Sequence, residues 1–236
     1  MKLLIVGGSG HVGGLVLPHL AQRHTLRVFD LRPPASPEWE YVSGSINDLT
    51  ALCQAAEGAD ALLYMAMGHK EYTIPEAVTS NLDVNIKGVY LALYAAQQAG
   101  IAQAVYTSSM SVYGGDLLKR YFPDEDLTPD SSHLYGFSKH LGEQVCRNAA
   151  REWGIHVNAL RLCFPISEDE WLANTRFGTP TIATTAADVA SALLAALEYQ
   201  GGFQAFMISG DYEQKIMNMA KAKRLLGWEP LARPTS

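Results

Sequence analysis

The sequence lacks any excess of positive charge: 18 Lys and Arg stand against 24 Asp and Glu, for a formal net charge of −6, and no Lys/Arg cluster appears. The electrostatic footprint needed to hold nucleic acid or an anionic membrane is therefore missing. Cysteine is scarce as well. Cys53, Cys146 and Cys163 stand apart, without metal-ligand spacing and without a CxxC pair, so they read as buried or free thiols of a reducing compartment. No uninterrupted apolar run reaches membrane-spanning length, and Met1–Val6 runs into Gly7-Gly8 too soon for a signal-peptide core, which makes a cytoplasmic location the default expectation. Internal repeats and low-complexity segments are absent. What is present is 236 residues, 48% of them hydrophobic, enough for one α/β domain with a sizeable core and small molecules as partners.

Short apolar runs alternate with longer helical patterns through the first half of the chain. That alternation predicts a doubly wound parallel sheet with helices on both faces. The expected strands are 2–6, 25–29, 40–42, 61–65, 104–107 and 156–161. Helices are expected at 12–21, 49–56, 81–99 and 135–153. Pro33, Pro34 and Pro37 mark a loop after the second strand, and Pro123 and Pro129 bracket another before the fourth helix. Beyond Phe164 the pattern loosens: 166–183 reads as a loop or lid, 186–199 as a helix opened by Asp188, and the tail as a helix around 220–226.

Directly after the first strand comes Gly7-Gly8-Ser9-Gly10-His11-Val12-Gly13, a G-x-x-G-x-x-G arrangement leading into a helix. Glycines at that spacing allow a tight turn, close approach of a pyrophosphate to backbone N–H groups, and packing of helix on strand. A glycine-rich turn without a ligand would look similar. The position within a βαβ pattern favours dinucleotide binding. Asp30 closes the second strand where a carboxylate would accept the adenosine ribose hydroxyls and repel a 2′-phosphate, selecting NAD over NADP. Arg32, beyond Leu31, pulls the other way, because a guanidinium could bind that phosphate.

Tyr135-Gly136-Phe137-Ser138-Lys139 sets a phenol and an ammonium four residues apart on a helix face. An ammonium beside a phenol favours the phenolate and draws the tyrosine pKa down from about 10. Tyr135 is thus a candidate acid/base, although such pairs are often only a solvated helix face.

Taken in order, these features resemble the short-chain dehydrogenase/reductase superfamily, in its extended branch of NAD-dependent epimerases and dehydratases. Asn85-Ile86-Lys87-Gly88 with the helix after it, the run Val105-Tyr106-Thr107-Ser108-Ser109-Met110-Ser111-Val112-Tyr113-Gly114, and the closing Gly227-Trp228-Glu229-Pro230 carry the resemblance along nearly the whole chain. It implies a Rossmann-type fold in one domain spanning 1–236, with 166–185 and 207–236 forming a reduced substrate-binding portion. It implies Ser109 as the hydroxyl that bonds the substrate oxygen, Tyr135 as proton carrier, and Lys139 as the group that holds the nicotinamide ribose and lowers the tyrosine pKa. Asn85 would support a helix distortion and a water chain to the lysine. Gly7, Ser9, Gly10, His11, Val12, Gly13, Asp30, Leu31, Arg32, Ser45, Ile46, Met65, Ala66, Met67, Thr107, Phe164 and Pro165, with Tyr135 and Lys139, would surround NAD. Ser45 occupies a place where the branch usually has an adenine-binding aspartate.

The chemistry narrows further by what departs from the branch. Its dehydratases carry Asp-Glu after the catalytic hydroxyl, where this chain has Met110 and Ser111, so dehydration is set low. Only 97 residues follow Lys139, which favours a small unactivated sugar over a nucleotide sugar. Leu17-Pro18-His19-Leu20, Gly142-Glu143 and Cys163-Phe164-Pro165 resemble the uronate dehydrogenases in particular, with Arg176 as the match for an arginine that clamps the substrate carboxylate. The expected activity is an NAD-dependent oxidation or epimerisation at a sugar or sugar-acid hydroxyl, with Ser109, Met110, Ser111, Tyr135 and Arg176 around the substrate and no metal. A nucleotide-sugar epimerase and a non-catalytic NAD(P) sensor are the alternatives. A homodimer through the helices at 81–99 and 135–153 is expected, with Ala92, Ala95, Ala96 and Ala99 allowing close approach or else facing the sheet.

Overall fold

The computed structural model describes residues 1–69, 74–176 and 181–234. Strands β1 (Lys2–Val6), β2 (Thr25–Asp30), β3 (Glu40–Ser43), β4 (Ala61–Tyr64), β5 (Gln103–Ser109), β6 (His156–Leu162) and β9 (Phe203–Ile208) form one parallel sheet, while β7 (Pro165–Ile166) and β8 (Thr184–Thr185) pair separately. The sheet order is β3-β2-β1-β4-β5-β6-β9, with every pairing parallel. Strand order therefore reverses between β1 and β4. In open α/β sheets that reversal opens a crevice at the carboxyl ends of the strands.

Helices α1 (His11–Leu20), α2 (Leu49–Ala56), α3 (Pro75–Leu82), α4 (Gly88–Gln98), α5 (Leu134–Trp153), α6 (Glu168–Asn174), α7 (Ala186–Glu198) and α8 (Ala220–Leu226) complete the described residues. The central strands are buried on both faces, so their residues alternate between two cores. Leu3, Ile5, Leu63, Val105 and Leu160 pack with α1 and α7; Leu4, Val6, Leu62, Tyr106 and Val157 pack with α2, α4 and α5. That alternation is the period of two expected of a strand.

Several expectations change here. The helix expected at 81–99 begins earlier, at Pro75, whose fixed φ suits a first helical position, and it is interrupted by a π-helical turn over Asp83–Lys87. Ala92, Ala95 and Ala96 face the sheet in the second core, while Ala99 is exposed at the helix end. The stretch 166–183 holds β7 and α6, and its residues 177–180 lie outside the described residues, as do 235–236 of the tail. Asp188 does not open its helix. Thr185 caps α7 by accepting the N–H of Asp188, and the Asp188 carboxylate instead accepts the N–H groups of Leu231 and Ala232, tying the tail to α7. Strand β9 is not among the expected strands, because Phe203–Ile208 carries Gln204 and only four apolar residues follow it, too few to be assigned to strand or helix by periodicity.

Candidate active site

Three glycines shape the loop between β1 and α1, each for its own reason. Gly7 has φ of 84°, and a Cβ there would lie 2.3 Å from the Ala66 backbone, so the loop presses against the Met65-Ala66-Met67 turn at the end of β4. A Cβ on Gly13 would lie 1.9 Å from Gly8 O, which is how α1 sits down on the loop. At Gly10, by contrast, a Cβ would meet only Gly7 O, at 3.4 Å. That side is open. No side chain caps α1, so the first-turn N–H groups of His11, Val12 and Gly13 point at the opening with the positive end of the helix dipole. A cradle of this form fits a pyrophosphate.

Asp30 is bound to the tip of that loop. Its Oδ2 accepts the Ser9 N–H at 3.0 Å and its Oδ1 the Arg32 N–H at 3.2 Å, while Ser9 Oγ donates to Arg32 O at 2.7 Å. Each carboxylate oxygen keeps capacity for a ribose hydroxyl. Leu31 and Arg32 are exposed outside it, and Ser45 and Ile46 start the turn after β3, where Ser45 Oγ accepts the Asn47 N–H. Across the crevice His11 Nε2 donates to Pro165 O at 3.1 Å, joining the α1 end to the segment after β6, and the exposed Phe164 there has φ of 41°.

The catalytic candidates converge through α5. A Cβ on Gly136 would lie 1.9 Å from Ser111 O and 2.4 Å from Ser131 Oγ, so the first turn of α5 rests directly on the turn that follows β5. A Cβ on Gly142 would lie 2.4 Å from Tyr106 Oη and 2.6 Å from Asn85 O, so the next turns rest on β5 and on the π-helical turn. Those two contacts place Tyr135 and Lys139 against the end of β5. Ser109 ends that strand, nearly buried, and its Oγ accepts the Ser111 N–H at 3.0 Å. Lys139 is 2% exposed; its Nζ donates to Thr107 O at 2.9 Å and lies 4.9 Å from the Tyr106 ring centroid. Burial pushes the Lys139 ammonium down to about 7.

Asn85, fully buried in the π-helical turn, donates to Asn81 Oδ1 and to Ser138 Oγ, both at 2.9 Å, and accepts the Gly68 N–H; Ser138 Oγ donates on to Tyr135 O. The implied helix distortion is thus present. Asn85 reaches α5 at Ser138, whereas the lysine amine is held by Thr107. Two further points differ from expectation. The Met110 side chain is 1% exposed and belongs to the core beside α1 and α7, so it does not line the site; a residue in the first turn after β5 points inward once Ser111 points out. Arg176 is exposed just beyond α6, bordering residues 177–180.

The sequence reading also passed over a buried charge network behind Ser109. Glu143 and Arg161 form a bidentate ion pair that also holds Ser108 and Tyr113. The signal available was the four-residue step from Lys139 to Glu143.

Residues 3–200 match the NAD-dependent epimerase/dehydratase family. The chain belongs to that family. It is an enzyme family, and NAD is its cofactor. A 4-epimerase of N-acetyl-α-D-glucosaminyl-diphospho-ditrans,octacis-undecaprenol from Escherichia coli O157:H7 is 32% identical over 153 residues, 64% of this chain and 43% of that protein. Among solved structures, a mutated uronate dehydrogenase superposes with a TM-score of 0.82 at 21% identity, covering 98% of this chain and 82% of that one. A short-chain dehydrogenase/reductase superfamily protein from Agrobacterium tumefaciens with bound NAD gives 0.80 at 22% identity, covering 98% and 93%. At those identities the likeness shows the Rossmann-type fold. The chain spans 39% and 43% of the first two curated relatives it matches. Among the described residues no helix is long and apolar enough to cross a membrane.

Proposed function

We propose that this chain oxidises or epimerises a hydroxyl of a small sugar or sugar acid, with Tyr135 as the acid/base. The observation that carries the reading is the seat of α5: Gly136 against Ser111 and Gly142 against Asn85 and Tyr106 bring Tyr135 and Lys139 to the end of β5, where Ser109 stands. In this reading the first-turn N–H groups of α1 hold the pyrophosphate, Asp30 the adenosine ribose, Lys139 the nicotinamide ribose, and Phe164 and Pro165 border the nicotinamide. NAD bound there supplies the acceptor for the hydride of the substrate carbon. Ser109 Oγ bonds the substrate oxygen and fixes it against Tyr135 Oη, which takes its proton. The Lys139 ammonium, anchored by Thr107 O, stabilises the phenolate that accepts it.

Arg176 binding the carboxylate of a hexuronic acid, with Ser111 beside it, gives the uronate-oxidising form of this proposal. Epimerisation is the second reading, supported by the 32% identity to a sugar 4-epimerase. The single-domain reading of 1–236 and a homodimer belong to the same proposal, the latter supported by Tyr90 on α4 and Phe137 on α5, which are 42% and 47% exposed.

The experiment is turnover of a panel of uronates, aldoses and polyols with NAD, followed both by NADH absorbance and by sugar analysis. Net NADH marks a dehydrogenase; a changed sugar without net NADH marks an epimerase. Tyr135→Phe is expected to lose ~100-fold or more in turnover, as removal of a general acid/base does, while still binding NADH. NADH binding with no turnover on any member of the panel, and no effect of Tyr135→Phe, would sink the enzymatic reading and leave a dinucleotide sensor.

A further inference from the structure

Tyr135, Lys139 and Glu143 follow one another on α5 at four-residue intervals, so they stack along one face in steps of roughly 6 Å. Glu143 is 1% exposed and Arg161, on β6, is 4% exposed. The carboxylate is fully engaged: Oε1 accepts Ser108 Oγ at 2.6 Å and Arg161 Nε at 2.9 Å, and Oε2 accepts Arg161 Nη2 at 2.8 Å. Arg161 Nη1 donates to Tyr113 Oη and to Glu125 O, and the guanidinium lies 5.3 Å from the Tyr113 ring centroid. Ser108 precedes Ser109, and Tyr113 closes the turn after it. A buried ion pair is often no more stable than apolar residues of the same volume, so stability alone is a weak reason for this one.

Resting on the reading of Tyr135 and Lys139 given above, we propose that Glu143 is a positioning residue for the acid/base pair. Its carboxylate, moderated by Arg161, keeps Lys139 an ammonium in the dry interior beside Tyr135. The titratable and charged groups around Lys139 are Tyr135, Glu143 and Cys146 on α5, Tyr106 on β5, Tyr64 on β4 behind Tyr106, and Arg161 on β6. Burial pushes the Cys146 thiol and the Tyr106 and Tyr64 phenols far up, so all three stay neutral near neutral pH. Burial acts on Lys139 in the opposite sense, driving it down, and Cys146 and Glu143 resist that. Of those two, Glu143 is the one paired as an ion, with Arg161. A single charge at roughly 6 Å and an effective dielectric near 20 moves a neighbour by roughly two pH units, and Arg161 cancels about half of that.

The test follows the Lys139 amine directly, in protein labelled with nitrogen-15 lysine and free of NAD and substrate, the resonance being assigned by its loss in Lys139→Arg. Glu143→Gln keeps an acceptor for Ser108 but removes the charge while Arg161 stays, and is expected to lower the Lys139 midpoint by about two pH units, roughly a hundredfold change in proton affinity. Arg161→Met leaves the carboxylate unopposed and is expected to raise it. Shifts of opposite sign are beyond what a loosened core would give. Ser108→Ala keeps the ion pair and takes one hydrogen bond from the carboxylate; should either charge variant fail to fold, it carries the test, with an expected rise of a few tenths of a unit. An unmoved midpoint, or a shift opposite to the expected sign in any variant that folds, overturns the proposal. Because this titration uses neither NAD nor substrate, its failure is separable from failure of the Tyr135 reading, which Tyr135→Phe turnover decides.

Discussion

Gly136→Ala tests the seating of the catalytic helix with a single methyl group. The new carbon would sit 1.9 Å from Ser111 O and 2.4 Å from Ser131 Oγ. An unstrained C···O contact needs roughly 3.4 Å, so the start of α5 must lift off the turn after β5 by about 1.5 Å. Two terms then compete in stability. Overpacking of this kind costs about 1–3 kcal/mol, while alanine in place of a helical glycine returns up to ~1 kcal/mol. The net loss is ~1–2 kcal/mol, which for a domain of this size lowers Tm by about 2–8 °C. Activity should suffer more than stability, because Tyr135 moves with the lifted turn and a displacement of ~1 Å at the reacting atoms costs ~100-fold. The assay is kcat/KM on whichever sugar the wild type turns over, with NADH binding and a thermal melt on the same samples. NADH binding should persist, since the glycine loop lies on β1 and α1. Gly14→Ala is the matched control: a Cβ there meets nothing within 4 Å, so stability should hold or rise by up to ~1 kcal/mol. A Gly136→Ala protein with wild-type kcat/KM and Tm would refute the close approach and the placement of Tyr135 that depends on it.

The remaining expectations concern charge. Asp30→Asn removes the negative charge at the loop tip beside the exposed Arg32, so the preference for NAD over NADP, measured as a ratio of kcat/KM, should fall by ~10-fold or more; an unchanged ratio would mean that Asp30 does not face the ribose. Lys139 gives a pH dependence whose sign is fixed by its burial. With burial pushing its folded value down to about 7 from the ordinary lysine value of 10.5, the folded protein binds fewer protons than the unfolded chain between those limits. Stability due to this group therefore rises with pH across that window, and below about 7 the penalty of the buried charge is fully present. Lys139→Met should be more stable than wild type at pH 6–7, by roughly 1–4 kcal/mol, with the difference shrinking toward pH 10; melts in which the two proteins track each other at every pH would contradict this.

Much of the sheet could be read from the sequence because parallel strands covered on both faces are nearly continuous apolar runs, as β1 and β4 are, while β2, β5 and β6 keep apolar stretches bounded by loop or helix signals. The glycine loop was legible for a related reason, since Gly7 and Gly13 stand where any side chain would collide with backbone. The Tyr135 to Lys139 spacing could be read because a helix face repeats every four residues. Strand β9, the break at Asp83–Lys87 and helix α6 were not: β9 carries Gln204 inside its apolar run, the break keeps a helix-like pattern, and α6 opens on three acidic residues that read as a loop. Met110 and Ser111 illustrate a different limit. They are adjacent in a turn that follows a strand, and only the turn's conformation sends one into the core and leaves the other exposed.

What the sequence determined by itself was the set of chemical groups and their local spacing: a glycine cradle, a carboxylate at the end of β2, a phenol and an ammonium one helical turn apart. Which distant residues meet them was decided by tertiary structure. Gly136 and Gly142 look like ordinary helix-weakening glycines until α5 is laid on Ser111, Tyr106 and Asn85, where each removes a side chain that could not fit. Glu143 and Arg161 are 18 residues apart and on different elements, so nothing local couples them. Burial beside Lys139 does, because a charge screened to insignificance in water acts at several-fold greater strength once β5, β6 and α5 have shut the water out.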